Sequence, residues 1–141
     1  MTRKAKALML SSMAIVVFLG PSLGQVGKSA AQQKPALPTI QEAVICERVE
    51  NRTPRGAREI YPSSIGKLYC FTKLTDIPSR GTIYHIWYHG AREVARVELA
   101  ISPPQWRTYS SKTILPGWKG SWRVEVLCGD HVLKTLVFAI E

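Results

Sequence analysis

His85 and His89 lie four positions apart and are the first candidates for a metal site in this sequence. On a helix, histidines four positions apart share one face and could bind a zinc ion. The segment Thr82–His89 is instead rich in isoleucine, tyrosine and tryptophan, which favours a strand. Residues four apart on a strand lie about 13 Å from each other, since each residue rises roughly 3.3 Å. No cysteine or acidic cluster lies near the two histidines in the sequence, so we expect no metal site.

Nucleophilic catalysis has little support in this sequence. It contains no cysteine–histidine pairing with recognisable local context, no phosphate-binding loop and no dinucleotide fingerprint. Acidic residues are few and scattered, which argues against a paired-carboxylate glycosidase. We therefore expect no catalytic residue and no cofactor. The alternative is an enzyme whose site is assembled only in three dimensions around His85, Arg107 and Ser110.

Basic residues directly follow tryptophans at Trp106-Arg107, Trp118-Lys119 and Trp122-Arg123, and Lys112 is close by. From Ala43 onward, 14 lysines and arginines outnumber 9 acidic residues, which gives a net charge of +5. Cations and aromatic rings together could bind an anionic or sugar-rich polymer of the cell envelope, or an envelope protein. The alternative is that the tryptophans fill the core while the basic residues face solvent.

The N-terminal residues predict where the protein acts. Three basic residues precede the uncharged apolar run Ala7–Leu19, and small residues then offer cleavage points near residue 24 or 31. This order is typical of a secretory signal peptide. The run of about 13 residues is shorter than the roughly 20 that span a bilayer. We expect export with cleavage of the signal, which gives a periplasmic or secreted protein. The alternative is a retained anchor, and the protein would contact the membrane only if the signal segment stayed uncleaved. Nucleic acid is not an expected partner of an exported protein.

The sequence predicts one folded domain behind the signal peptide. Residues 1–24 form the signal, and residues 25–42 are rich in glutamine, lysine, proline, serine and alanine, which is typical of a flexible leader. Residues 43–141 remain, a length that suits a single compact domain.

Short alternating segments separated by glycine and proline predict seven strands, with a further short one around Glu59–Tyr61. No helical periodicity is present after residue 25. We expect an all-β fold, a single antiparallel sandwich of about seven strands that is immunoglobulin-like or fibronectin-like, and a small closed barrel is the alternative. The predicted strands are Ala43–Val49, Lys67–Leu74, Thr82–His89, Glu93–Ile101, Trp106–Ile114, Ser121–Cys128 and His131–Ile140.

The last two strands are predicted in most detail. Gly129-Asp130 suits a two-residue type II′ turn. That turn would place Val126 opposite Leu133, Glu125 opposite Lys134 and Trp122 opposite Val137. The core face would then consist of Trp122, Val124, Val126, Cys128, Leu133 and Val137, with Arg123 on the other face.

The chain has three cysteines, so at least one is unpaired within an exported monomer. Cys46 and Cys70 lie in the first two predicted strands, which would be neighbours in such a sandwich. A Cys46–Cys70 disulfide would stabilise the fold by roughly 2–4 kcal/mol. The alternative is that all three are buried thiols.

Several motifs resemble a known family. They are Val49–Pro54, the run Tyr-His-Ile-Trp-Tyr-His-Gly from Tyr84, the run Trp-Arg-Thr-Tyr-Ser-Ser-Lys from Trp106, and Gly-Ser-Trp-Arg-Val from Gly120. In this order they resemble the bacterial domain of unknown function 2914 from about Ala43 to Ile140. The resemblance implies an exported or membrane-attached β domain without an established activity. The candidate binding or motif residues are His85, Trp87, Trp106, Arg107, Ser110, Lys112, Trp122 and Arg123.

Overall fold

The computed structural model describes residues 36–141, and this part of the chain forms strands and no helix. No membrane-spanning helix is therefore found among these residues. The predicted signal peptide and residues 25–35 of the predicted leader lie outside the described residues.

The described residues form ten strands. In chain order they are β1 Thr39–Cys46, β2 Arg48–Glu50, β3 Thr53–Arg55, β4 Ile60–Tyr61, β5 Lys67–Thr75, β6 Gly81–His89, β7 Arg92–Ile101, β8 Trp106–Thr113, β9 Gly120–Cys128 and β10 His131–Ile140.

Two main sheets form the domain. One has three strands in the order β1-β5-β8, and the other has five in the order β4-β10-β9-β6-β7. Every pair is antiparallel except the short contact of β4 with β10. Strands β2 and β3 make a separate small hairpin. The all-β, immunoglobulin-like fold is confirmed.

The core lies between the two sheets because both contribute apolar side chains to it. Ile45 and Leu68 of the smaller sheet pack with Trp87, Trp122 and Phe138 of the larger one. A second cluster contains Leu74, Ile83, Ile101 and Val126. Each fully buried side chain of this size stabilises the fold by about 1.5–3 kcal/mol.

The start of the domain differs from the prediction. Residues Thr39–Glu42, predicted as leader, belong to β1, where Glu42 pairs with Lys73 of β5. The predicted first strand is also divided, because β1 ends at Cys46 and Val49 lies in β2. The β2–β3 hairpin turns at Asn51 and Arg52, whose φ angles are 48° and 57°. Both central residues are thus left-handed, as in a type I′ turn.

The predicted register of the last hairpin is wrong beyond its turn. Cys128 pairs with His131 as the two-residue turn requires, and Gly129 has a φ of 57°. A bulge between Val132 and Lys134 then adds one residue to β10. Because sheet side chains alternate with a period of two, one extra residue reverses which face each later side chain occupies.

The bulge changes the partners of β9. Glu125 lies opposite Thr135, Val126 opposite Lys134, and Trp122 opposite Phe138. Val137, predicted in the core, is 64% exposed, and Phe138 is buried in its place. Trp122, Val124 and Val126 are buried as predicted, whereas Cys128 and Leu133 are only partly buried.

All three cysteines are unbridged. Strands β1 and β5 are neighbours as predicted, but Ile45 pairs with Cys70 and Cys46 pairs with Tyr69. Cys46 and Cys70 therefore point to opposite faces of the sheet, and the Cys46–Cys70 disulfide is not formed. Burial raises the pKa of both thiols, which favours their neutral form.

Candidate functional site

Four of the predicted candidate residues lie in the core. These are His85, Trp87, Ser110 and Trp122. Three of them, with Thr72, form one hydrogen-bonded network between the two sheets. His85 Nε2 lies 2.8 Å from Thr72 Oγ1, and His85 Nδ1 lies 2.7 Å from Ser110 Oγ. Trp87 Nε1 donates to the same Ser110 oxygen at 3.1 Å.

The donors and acceptors of this network determine where its protons lie. The Trp87 indole can only donate, so the Ser110 hydroxyl proton needs another acceptor. If Ser110 donates to Nδ1 of His85, then Nε2 of His85 carries the proton and donates to Thr72. In this arrangement the buried histidine is neutral and both of its nitrogens are satisfied.

Burial lowers the pKa of His85 to about 4, because a charged imidazole would lose its hydration in the core. The adjacent Ser110 resembles a nucleophile beside its base, but only 4% of it is exposed. Arg107 does not join this pair, since residues 107 and 110 point to opposite faces of β8. The three residues of the catalytic alternative therefore do not share a cleft.

His89 belongs to an aromatic stack rather than to a ligand set. Its ring packs against both Trp118 and Trp122, with ring-centre distances of 6.0 and 4.7 Å, and the two indoles are 5.9 Å apart. His89 Nε2 donates to the carbonyl of Lys119 at 2.7 Å. Lys112 also contacts this aromatic cluster, since its Nζ lies 5.1 Å from the centre of the Trp118 ring. Within residues 36–141, no cluster of three histidine, cysteine, aspartate or glutamate side chains could hold a metal ion.

Arg123 lies on the outer face of the five-stranded sheet, where three groups hold its guanidinium. Its Cζ is 3.8 Å from the centre of the Tyr88 ring. Its Nε lies 3.2 Å from Glu125 Oε1, and its Nη1 donates to the Gly90 carbonyl at 3.0 Å. This arginine is both neutralised and anchored.

The remaining two candidates, Trp106 and Arg107, are both exposed and border the same clefts at the edge strand β8, although as neighbours in the strand they start on opposite faces. Trp106 begins the edge strand β8 and is 39% exposed. Arg107 faces outward beside Lys73, its partner across the β5–β8 pair. We call the site the Trp106 surface, which consists of Arg52, Lys73, Gln105, Trp106, Arg107 and Tyr109.

Three separate elements position the cations of the Trp106 surface. Lys73 lies in the central strand β5 and Arg107 in β8, where alternation turns both side chains away from the core. Arg52 lies at the turn of the β2–β3 hairpin. Arg107 Nη1 donates to the Arg52 carbonyl at 3.2 Å, which joins the hairpin to the sheet.

Two adjoining clefts cross the Trp106 surface, and both are bordered by Arg52, Trp106 and Arg107. One, of about 250 Å³, is completed by the polar residues Lys73 and Gln105. The other, of about 340 Å³, is completed mainly by Phe71, Ala100, Thr108 and Tyr109. None of the residues that line either cleft is acidic.

Sequence reasoning missed Arg52, Lys73 and Tyr109. The alternation of the predicted strands could have placed Lys73 and Tyr109 on the outer face with Arg107. Arg52 was harder to find because type I′ turns favour Asn-Gly or Asp-Gly, and arginine at the second position hides the hairpin.

Comparison with solved structures supports the fold. The chain is similar to an immunoglobulin-like protein from Pseudomonas aeruginosa, with 14% identity and a TM-score of 0.50 over 77% of this chain and 100% of the other. It is also similar to the alkylpurine DNA glycosylase AlkC from Pseudomonas fluorescens, solved bound to DNA containing an abasic site analog. That match has 11% identity and a TM-score of 0.50, over 77% of this chain and 31% of the glycosylase.

At these identities the two similarities establish the fold alone. No curated protein matches the sequence. The model of the family described as "Protein of unknown function (DUF2914)" matches from residue 80, so the region from Ala43 to Ser79, which the resemblance also included, is outside the match. Residues 80–140 match this DUF2914 family, and the predicted resemblance is confirmed over this part of the chain.

Proposed function

We propose that this protein is an exported, non-catalytic module that binds an anionic polymer of the cell envelope through the Trp106 surface. One observation carries the proposal: Arg52, Lys73 and Arg107 converge beside an exposed tryptophan, and no acidic residue lines the clefts between them. Glu42 lies opposite Lys73 on the neighbouring strand, but it lines neither cleft.

The lack of ion pairs at Arg52, Lys73 and Arg107 in the described residues supports a role in binding. Within residues 36–141, Arg48, Arg55, Arg58, Arg96 and Arg123 each lie within ion-pair distance of a glutamate. Arg52, Lys73 and Arg107 form no such pair in this region. Unpaired cations grouped on one surface attract polyanions, and screening by salt weakens the attraction.

Export supports the choice of an envelope polymer. The charged head, apolar run and small residues before residue 31 are typical of a secretory signal. Cell fractionation should recover the protein outside the cytoplasm, with a mature N-terminus near Gln25 or Gln32. A cytoplasmic product that begins at Met1 would contradict this part of the proposal.

Binding can be tested by cosedimentation of the full protein with protein-stripped envelope. Lys73→Gln combined with Arg107→Gln removes two charges from the Trp106 surface, and we expect about tenfold weaker retention at low salt, since each tenfold is about 1.4 kcal/mol. Arg92→Gln combined with Lys119→Gln is the matched control, because both residues are exposed and line neither cleft.

The control separates a specific site from general positive charge. The control variant should be retained like the wild type. Equal losses in the two double variants would show that net charge alone drives retention. No retention of the wild-type protein at low salt would overturn the proposed function.

A further inference from the structure

We infer that the Trp106 surface recognises an acidic polysaccharide, with a sugar ring against Trp106 and its carboxylate against Arg107 and Lys73. The inference rests on the proposed function and names the chemical class of the polymer. It follows from the way in which charge and aromatic surface are divided between the two adjoining clefts.

The two clefts differ in chemistry although they share a border. Lys73 and Gln105 make the first one polar and cationic, with donors for carboxylate and hydroxyl oxygens. The second is lined by Phe71, Thr108 and Tyr109, of which Tyr109 is exposed and Phe71 is buried. Trp106 and Arg107 border both clefts. As neighbours in β8 they start on opposite faces of the strand, so one ligand unit would meet the ring and the cation together by lying across the exposed edge of β8.

A sugar acid has the same division of chemistry. Its carboxylate and hydroxyl groups suit the cationic cleft, and the C–H groups on one side of its ring suit an exposed indole. Polyphosphate carries the charge but has no ring, and a neutral glucan has the ring but no charge. Only a ligand with both features uses the whole border between the clefts.

The size of the clefts also favours a polymer unit. Small-molecule pockets span roughly 300–1,000 Å³ and enclose most of their ligand. The cleft of about 250 Å³ lies below that range and the cleft of about 340 Å³ near its lower limit, and both open to solvent. A chain that lies across the surface and presents one or two units fits this shape better than an enclosed metabolite.

The test compares defined polymers with the full protein, by titration calorimetry at low salt. The probes are polygalacturonate, polyphosphate at equal charge concentration, dextran and single-stranded oligo-dT. We expect polygalacturonate to bind at least about tenfold more tightly than any other probe, because it combines a carboxylate with a sugar ring; tenfold corresponds to about 1.4 kcal/mol.

Variants at Trp106 isolate the role of the ring. Trp106→Ala should weaken polygalacturonate binding about tenfold, and Trp106→Phe should retain most of the affinity because it keeps an aromatic face. Unchanged melting curves for both variants would exclude unfolding as the cause. Lys73→Gln with Arg107→Gln should weaken binding of polygalacturonate and polyphosphate alike.

The possible outcomes distinguish the inference from the proposed function. Equal binding of polyphosphate, with no effect of Trp106→Ala, would overturn the sugar inference and leave anion binding intact. Tighter binding of oligo-dT would indicate stacking of a base and not of a sugar. Binding of dextran as tight as that of polygalacturonate would show that charge has no role. Either result would overturn the inference. If the wild type binds none of the polymers and is also not retained by stripped envelope, both proposals fail.

Discussion

The dipeptide Trp-Arg occurs twice in this domain, and its two copies have opposite environments. Trp122 is 1% exposed, whereas Trp106 is 39% exposed. Arg123 is held by a ring, a carboxylate and a carbonyl. Within residues 36–141, the one contact of these kinds that Arg107 makes is its hydrogen bond to the Arg52 carbonyl. Identical neighbours in sequence therefore support the core in one place and form an exposed cationic site in the other.

The position of each strand in its sheet accounts for the difference. Strand β9 lies between β10 and β6, so Trp122 is covered by the core and also stacks on Phe138 at 5.9 Å. Strand β8 forms an edge of the smaller sheet, and Trp106 is its first residue. An edge strand has a neighbour on one side only, which leaves a side chain at its end partly uncovered.

The largest expected effect comes from removing the buried ring. Trp122→Ala should lower the free energy of unfolding by about 3–5 kcal/mol, because it leaves a cavity beside Phe138 and His89. Trp106→Ala should cost about 1 kcal/mol or less, since its ring is partly in water. Denaturant melts of both variants measure the difference, and equal losses would mean that the comparison between the two strands is wrong.

Acid should lower the free energy of unfolding, because His85 is buried between the two sheets in its neutral form. Because the pKa of His85 is lowered to about 4 in the folded state, the unfolded chain, with a pKa near 6.5, takes up the proton first. The contribution of neutral His85 to the free energy of unfolding is then fully present above pH 6.5, and about 3 kcal/mol of it is lost as the pH decreases to about 4.

His85→Gln should remove that part of the pH dependence, and His131→Gln, at an exposed position, should not. Denaturant melts at several pH values between 4 and 7 measure it. Identical slopes for the wild type and His85→Gln would show that His85 does not titrate in this way.

Ser110→Ala tests the hydrogen-bonded network on the inner face of β8, the strand that exposes Arg107 on its outer face. The substitution removes the hydroxyl that meets both His85 and Trp87, so their buried polar atoms would lose a partner. We expect a loss of about 1–3 kcal/mol in the free energy of unfolding. Ser111→Ala, on the exposed outer face, should change it by less than about 0.5 kcal/mol. A loss at Ser110 no larger than that at Ser111 would contradict the assigned network.

Local sequence predicted the strands from Thr82 onward because each alternates and ends at turn residues. It could not place the bulge before Lys134, since an extra residue in β10 leaves no mark in the hydrophobic pattern. It also could not separate Trp106 from Trp122, because their exposure depends on which strands become neighbours. The cation set was incomplete for the same reason, as Arg52 reaches the sheet only through the folded hairpin.

The smallest stability effect is expected at the arginines themselves. Arg123→Ala should cost about 1 kcal/mol or less, since its cation–π contact and its ion pair with Glu125 lie near the surface. Arg107→Ala should cost no more than that. Thermal melts measure both, and a loss above about 2 kcal/mol for Arg107→Ala would indicate a structural role instead.

The role of Arg107 in binding is tested by measuring polygalacturonate affinity for Arg107→Gln and for Arg123→Gln. Calorimetry at low salt gives both values. The two substitutions remove the same charge from the same dipeptide and leave its tryptophan in place. If the Trp106 surface binds the polymer, Arg107→Gln should bind about tenfold more weakly and Arg123→Gln should keep the wild-type affinity. Equal losses, or a loss confined to Arg123→Gln, would contradict this role of the Trp106 surface.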